Sequence, residues 1–149
     1  MTINVIDLFA GAGGLGLGAA LAGGRLRLSV ENDVTACETL RLNPNFHPDG
    51  SVMCADVVRL TGAELRERAG LSKGGALLLV GGDPCQPFSK AAYWTDKGDD
   101  ARYRRARARG DEAEKPAPIT EARPDDRRDL VDKFMSLAFE AYADAFILE

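Results

Sequence analysis

The sequence predicts an α/β fold, a Rossmann-like, doubly wound parallel sheet. Three observations carry that prediction. Short apolar runs bounded by Gly, Pro, Asn or Asp alternate along the chain with segments of helical spacing. A glycine-rich turn, Gly11-Ala12-Gly13-Gly14-Leu15-Gly16, follows the first apolar run and opens the first helix. The residues with chemical character follow the strands, at the edge where open parallel sheets gather their ligands.

Taken in order, Val5 and Ile6 lead through Asp7-Leu8-Phe9 into the glycine turn, and a helix runs through Ala19-Ala20-Leu21 until Gly23-Gly24 ends it. Residues 26–30 form a second strand, closed by Glu31-Asn32-Asp33. Residues 35–42 form a helix stopped by Asn43-Pro44, because the residue before proline is driven out of helical conformation. Residues 51–54 make a short third strand that ends near Asp56, and 61–69 an amphipathic helix capped by Gly70. The fourth strand, 76–80, is the most uniformly apolar stretch, and Gly81-Gly82-Asp83-Pro84-Cys85-Gln86-Pro87-Phe88-Ser89 breaks it off sharply. No regular element is predicted across the polar segment 91–127. This segment is too long for an ordinary connection and is either a functional lid or disordered, and its mixed charges and Pro116-Ala117-Pro118 favour mobility over about 90–127. Leu130, Phe134, Leu137, Ala138 and Tyr142 then recur at helical spacing, and 145–149 is a fifth strand. A buried strand is rarely the end of a domain. Residues 1–149 are therefore expected to be the N-terminal portion of one domain whose sheet is incomplete at the C-terminus.

Composition narrows the function classes. A net charge of −4 with 45% hydrophobic residues fits a globular protein in water. Met1-Thr2-Ile3-Asn4 runs directly into a strand pattern without a basic leader, and no apolar run reaches the ~20 residues a membrane span needs, so a cytoplasmic location is expected. Cys37, Cys54 and Cys85 are odd in number and lack metal-ligand spacing, so neither a disulfide framework nor a metal site is expected. His47, the single histidine, sits among Pro and Asn and is expected on a surface loop. Five arginines crowd residues 101–110, a local basic density suited to phosphate contacts or to a solvated face.

The glycine turn fits a dinucleotide or S-adenosylmethionine equally well, since free N–H groups at a helix start attract anionic groups. Glu31, ending the second strand, is placed to accept from ribose hydroxyls. Phe9 can stack on adenine or pack in the core. Asp56 can accept from an adenine amino group or cap the helix that follows. Cys85 can be a nucleophile on a rigid turn or a small core residue. A dehydrogenase has no general use for Pro84-Cys85, which favours S-adenosylmethionine over a nicotinamide cofactor.

Together these residues resemble the cytosine-C5 DNA methyltransferases. Asp7-Leu8-Phe9-Ala10-Gly11-Ala12-Gly13-Gly14 is similar to the family's first motif, Glu31 to its second and Asp56 to its third. Pro84-Cys85-Gln86-Pro87-Phe88-Ser89 resembles the fourth, and Arg127-Arg128-Asp129-Leu130-Val131 the fifth. Residues 145–149 resemble the strand entering the Glu-Asn-Val motif. The resemblance implies an S-adenosylmethionine-dependent methyltransferase fold, with cofactor contacts at Phe9, Gly11, Gly13, Gly14, Leu15, Glu31, Asn32, Asp56, Val57 and Pro84. It implies a DNA methylation role of the restriction–modification type, with Cys85 adding to C6 of a flipped cytosine and Glu149 at its N3 edge. Gln86, Ser89, Lys90, Arg102, Arg104 and Arg105 would touch double-stranded DNA in a bacterial cytoplasm, at the nucleoid. Asp83 beside Pro84 departs from the family pattern, and an acid facing the sulfur would raise the thiol pKa. Nothing corresponds to the family's later arginine motif or target-recognition domain. A complementary C-terminal chain is therefore an expected partner, and a cofactor-binding piece without turnover is the alternative.

Overall fold

The computed structural model describes residues 2–48, 51–72, 74–82, 99–115 and 129–149. The chain divides into two compact units, Met1–Asp83 with Asp129–Glu149, and Pro84–Arg128.

The first unit is built on five strands, β1 (Asn4–Leu8), β2 (Arg25–Glu31), β3 (Val52–Cys54), β4 (Leu77–Gly81) and β5 (Ala145–Leu148). They pair in parallel in the order β3-β2-β1-β4-β5. The order reverses direction between β1 and β4, which makes a crevice beyond the strand ends there. Parallel strands are covered on both faces, so the central ones are apolar on both sides. Ile6, Leu8, Leu28, Val30, Leu77 and Leu79 face the larger core, with Leu65, Phe134 and Leu137 packed over them. Val5, Leu26 and Val80 face a smaller cluster completed by Leu15 and Ala19. An irregularity in the β1–β2 register sets Leu26 opposite Val5 but Leu28 opposite Ile6, so one extra residue of β2 flips the two leucines to opposite faces.

Local chemistry explains the helices. α1 (Gly14–Leu21) starts from Gly13 in the left-handed region, with no side-chain cap from that residue. α2 (Val34–Arg41) is capped by Asp33, which accepts from the Ala36 N–H at 2.8 Å. Asp56 accepts from the Val58 N–H and caps a single 3-10 turn, Val57–Arg59. Thr61 and Glu64 form a reciprocal capping box on α3 (Gly62–Arg68). Arg66 is buried and clamps this layer, donating to the carbonyls of Ala141, Ser72 and Gly75 at 2.6, 2.7 and 2.8 Å.

In the second unit, the described residues include the helix α4 (Asp99–Ala108). The sequence predicts no regular element between 91 and 127, and that expectation is corrected here. Alanine and arginine are strong helix formers and none of the ten residues is β-branched, so local propensity outweighs the polar composition. Gly110 at φ 83 ends the run, and the Asp111 N–H returns to the Ala106 carbonyl at 2.9 Å. The last helix, α5 (Leu130–Glu140), belongs to the first unit and buries Phe134, Leu137 and Ala138 as its spacing predicts.

Candidate cofactor and nucleophile site

One row of residues crosses the whole sheet. Met53 pairs with Val30, Val30 with Leu8, Leu8 with Gly81 and Gly81 with Leu148. The next residue on each strand is therefore Cys54, Glu31, Phe9, Gly82 and Glu149, all at the carboxyl edge. Neighbouring parallel strands lie ~4.8 Å apart, so the β1, β4 and β5 ends fall within about 10 Å of one another. The Glu149 N–H donates to the Gly81 carbonyl at 3.0 Å, which fixes its backbone beside the end of β4.

The glycine turn is held in this edge by three hydrogen bonds. Ala10 N–H donates to the Val30 carbonyl at 3.1 Å. Gly11 N–H donates to Glu31 Oε2 at 2.7 Å. Gly16 N–H donates to Asp7 Oδ2 at 2.9 Å. Phe9 and Gly11 sit at φ 54 and 53, and Gly13 at φ 91. A left-handed phenylalanine costs energy and persists only where its surroundings dictate it, a pattern that concentrates at ligand sites. The turn has no room below. A Cβ on Gly13 would lie 2.7 Å from a Leu40 methyl and 2.9 Å from His47 Nε2. It has room above, for a Cβ on Gly11 or Gly14 would meet nothing within 4 Å.

Among the described residues, no hydrogen bond occupies the Gly14 or Leu15 N–H. Two donors at a helix start thus stand open beside an exposed Gly14. Glu31 carries the opposite sign. Its Oε1 accepts from the Asn32 and Asp33 N–H groups at 2.8 and 2.9 Å, so both oxygens are fixed by backbone, and Oε2, which accepts once from Gly11, keeps a lone pair for a ligand hydroxyl. Asp56 is exposed, with Oδ1 engaged as a cap and Oδ2 open. This donor and acceptor set fits a ligand that brings a carboxylate to the turn and a hydroxyl to Glu31.

Other sequence-predicted contacts are placed less simply. Phe9 is half-buried against the main core, and Leu15 packs on the smaller cluster. Val57 is 4% exposed in the core, which leaves only its backbone to a ligand. Gly81 serves packing, since a Cβ there would lie 2.7 Å from the Phe134 ring. Arg102, Arg104 and Arg105 lie on α4 in the second unit, and Arg105 Nε donates to the Ala101 carbonyl at 3.2 Å. Asp83, Pro84, Cys85, Gln86, Ser89, Lys90, Arg127 and Arg128 lie outside the described residues. Cys37 offers no rival nucleophile: it donates to the Glu31 carbonyl, and burial, reinforced by Cys54, pushes its thiol up to about 12. Among the described residues no cluster could hold a metal ion, and no helix is long and apolar enough to cross a membrane.

Two residues beneath the turn lie outside the predicted set. His47 is 5% exposed, which corrects the surface-loop expectation. Its Nδ1 is 3.2 Å from Ser29 Oγ, its Nε2 abuts Gly13, and burial lowers its pKa. The Pro and Asn around it bend the chain back under the turn instead of outward. Asp7 is fully buried, and its Oδ1 has no partner. Burial pushes its carboxyl up to about 7, against the Gly16 hydrogen bond that lowers it, and the charge of Glu31 adds to the rise. The readable signal was an acid inside the apolar run Val5-Ile6-Asp7-Leu8.

The profile of the C-5 cytosine-specific DNA methylases matches residues 3–103. The type II methyltransferase M.SacI of Streptomyces achromogenes is 32% identical, across 99% of this chain and 34% of its own length. M.XorII of Xanthomonas oryzae pv. oryzae is 45% identical across 56% of this chain and 19% of its own. M.AquIA of a Picosynechococcus strain is 40% identical across 61% of this chain and 36% of its own. Among solved structures, a prophage-encoded protein of E. coli described as a DNA modification methyltransferase superposes with a TM-score of 0.65 at 28% identity, covering 99% of this chain and 31% of that one. The chain thus spans about a third or less of the length of the first of these relatives.

Proposed function

The chain belongs to the C-5 cytosine-specific DNA methylase family, and we propose that it supplies the S-adenosylmethionine site and the nucleophile for methylation of cytosine C5 in DNA. The observation that carries this reading is the single sheet row whose next residues are Glu31, Phe9, Gly82 and Glu149. It sets the start of the glycine turn, the acid of β2, the end of β4 at Gly82 and Glu149 along one edge, and Cys85 follows Gly82 by three positions in the sequence. The turn alone would also suit a dinucleotide; family membership favours S-adenosylmethionine. When bound, that cofactor supplies an electrophilic methyl group.

The open N–H groups of Gly14 and Leu15 would receive its carboxylate, Glu31 Oε2 one ribose hydroxyl and Asp56 its adenine amino group, with Phe9 against the adenine face. Asn32, Val57 and Pro84 would complete the contacts. Cytosine C5 is a weak nucleophile. Cys85 would add as thiolate to C6, so that the ring's electron density concentrates at C5. Glu149 would hold or protonate N3 and offset the charge that develops on the ring. After the methyl group joins C5, loss of the C5 proton would restore the C5–C6 double bond and expel the Cys85 thiolate. A stacked base is out of reach, so the cytosine must be flipped from the duplex. Gln86, Ser89, Lys90, Arg102, Arg104 and Arg105 would act on the DNA around it, positioning without reading sequence.

The chain covers only part of its relatives, which favours a second reading in which it binds cofactor and turns over only with a complementary C-terminal chain. One experiment treats both: transfer of labelled methyl from S-adenosylmethionine to duplex DNA, by this chain alone and with a C-terminal segment of a relative co-expressed. Activity that appears in either arm and disappears in Cys85→Ser supports the mechanism. Activity that survives Cys85→Ser refutes it.

A further inference from the structure

Resting on that cofactor reading, we propose that Asp7 is a positioning residue that sets both the geometry and the charge of the glycine turn, so that the turn grips a cationic cofactor more tightly when Asp7 is ionised. Gly13 has no side chain with which to cap α1, and the Gly16 N–H is satisfied instead by Asp7, reaching up from β1. The contact is built from both sides, since a Cβ on Gly16 would fall 2.6 Å from Asp7 Oδ2. A cap needs one acceptor oxygen, yet Asp7 carries a second, fully buried and without a partner. An orphaned buried oxygen in a native fold asks for a reason beyond capping.

The surroundings supply it. Glu31 on β2 accepts from Gly11, so the two ends of the turn rest on two acids. Val80, the register partner of Asp7 on β4, is apolar, and α1 presents Gly16. Ser29, its partner on β2, bonds His47, whose pKa burial lowers and which lies beneath Gly13. Arg66, the buried cation among the described residues, is committed to three carbonyls in another layer. Among the described residues, therefore, no buried cation offsets Asp7. The positive charge that would do so is the sulfonium of the cofactor. Burial pushes the Asp7 carboxyl up to about 7, so its charge is adjustable at neutral pH. A cation that favours the ionised form must release the Asp7 proton on binding, and its affinity must rise with pH through that window. The demethylated product, a neutral thioether, should respond less.

The test is calorimetric binding of S-adenosylmethionine and of S-adenosylhomocysteine to the full chain and to Asp7→Asn, from about pH 5.5 to about pH 7, where the ligands' own amino group stays largely protonated. For the wild-type chain, affinity for the methyl donor should rise roughly fourfold over the window, as a one-unit drop in the Asp7 pKa on binding requires. The product should rise by a smaller factor, and Asp7→Asn should be flat and weaker at the upper end. Equal slopes in the two proteins would overturn the proposal while leaving the cofactor site intact. Absence of any binding at every pH would overturn the cofactor reading and this inference with it. If Asp7→Asn does not fold, carbon-detected NMR of the wild-type carboxyls decides: a near-neutral midpoint that falls on adding the methyl donor supports the proposal, and an unmoved one refutes it.

Discussion

Replacing Asp7 by asparagine should invert the pH dependence of folding. Its carboxyl rises from an ordinary 3.8 to about 7 in the folded chain, chiefly because burial penalises the charge. The folded state therefore holds the proton more tightly than the unfolded chain does. The stabilisation from neutral Asp7 is complete below about pH 4 and is lost as pH climbs through about 7. At about 1.4 kcal/mol per pKa unit, the loss amounts to about 4 kcal/mol between those limits, a large share of a typical domain's stability. Asparagine still offers an oxygen to the Gly16 N–H, but its amide brings two donors into a site without an acceptor, at a cost of about 1–3 kcal/mol. Asp7→Asn should thus be the less stable protein at pH 4 and the more stable one at pH 8, with curves crossing between about pH 4.5 and about pH 6. Urea unfolding followed by circular dichroism at a series of pH values would measure this. Glu64 and Glu140, lowered by hydrogen bonds from Thr61 and Gly62, and His47, lowered by burial, act with the opposite sign. They are common to both proteins and cancel in the difference. Parallel curves from pH 4 to pH 8 would refute the reasoning.

Two further substitutions separate folding from binding. Gly16→Ala places a methyl 2.6 Å from Asp7 Oδ2 and should cost about 1–3 kcal/mol of stability, whereas Gly14→Ala meets nothing within 4 Å and should gain up to about 1 kcal/mol from helix propensity. The same Gly14→Ala should weaken cofactor binding about tenfold by crowding the open N–H groups, and calorimetry that found unchanged affinity would remove those donors from the site. Glu31→Gln replaces a carboxylate that serves Gly11, Asn32 and Asp33 with one oxygen and an amide, so it should lose about 1–2 kcal/mol and weaken cofactor binding. Unfolding at the wild-type denaturant midpoint would count against that network.

Most of the sheet was legible because the strands carry apolar residues up to a hard stop, β2 by alternation and β4 as an unbroken run. Glu31 was legible because an acid that closes such a run must lie at the carboxyl edge. The less legible features depend on residues brought together by register. Ser29 and His47 are 18 positions apart, and they meet only because the chain after α2 turns under β2, which no local pattern encodes. Asp7 reads as a strand acid until Gly16, nine positions on, is seen to lack a cap of its own. The α4 helix is hidden for a different reason. Arginine reads as charge, yet over ten residues without a β-branched side chain its helix propensity decides the backbone. The stretch with the most specific chemistry, Pro84 to Lys90, lies outside the described residues, so its roles rest on family resemblance and on where β4 delivers the chain.

Asp7 and Glu31 hold the same turn by the same kind of bond, yet they differ in cost. Glu31 stands half-exposed at the edge, where water shares its charge, and it grips three backbone N–H groups. Asp7 grips one from full burial and leaves an oxygen bare. Were anchoring the only requirement, a neutral acceptor with its remaining groups paired would hold Gly16 without the charge penalty. A fold that keeps an expensive carboxylate beneath a ligand turn is stabilised by whatever neutralises it. A cationic ligand would then recover, on binding, part of what the empty turn costs to maintain. The same argument makes release easier once the ligand loses its charge, because the neutral product returns Asp7 to its unfavourable state. On this view, the defect in the fold and the preference for methyl donor over product are one property of a single residue.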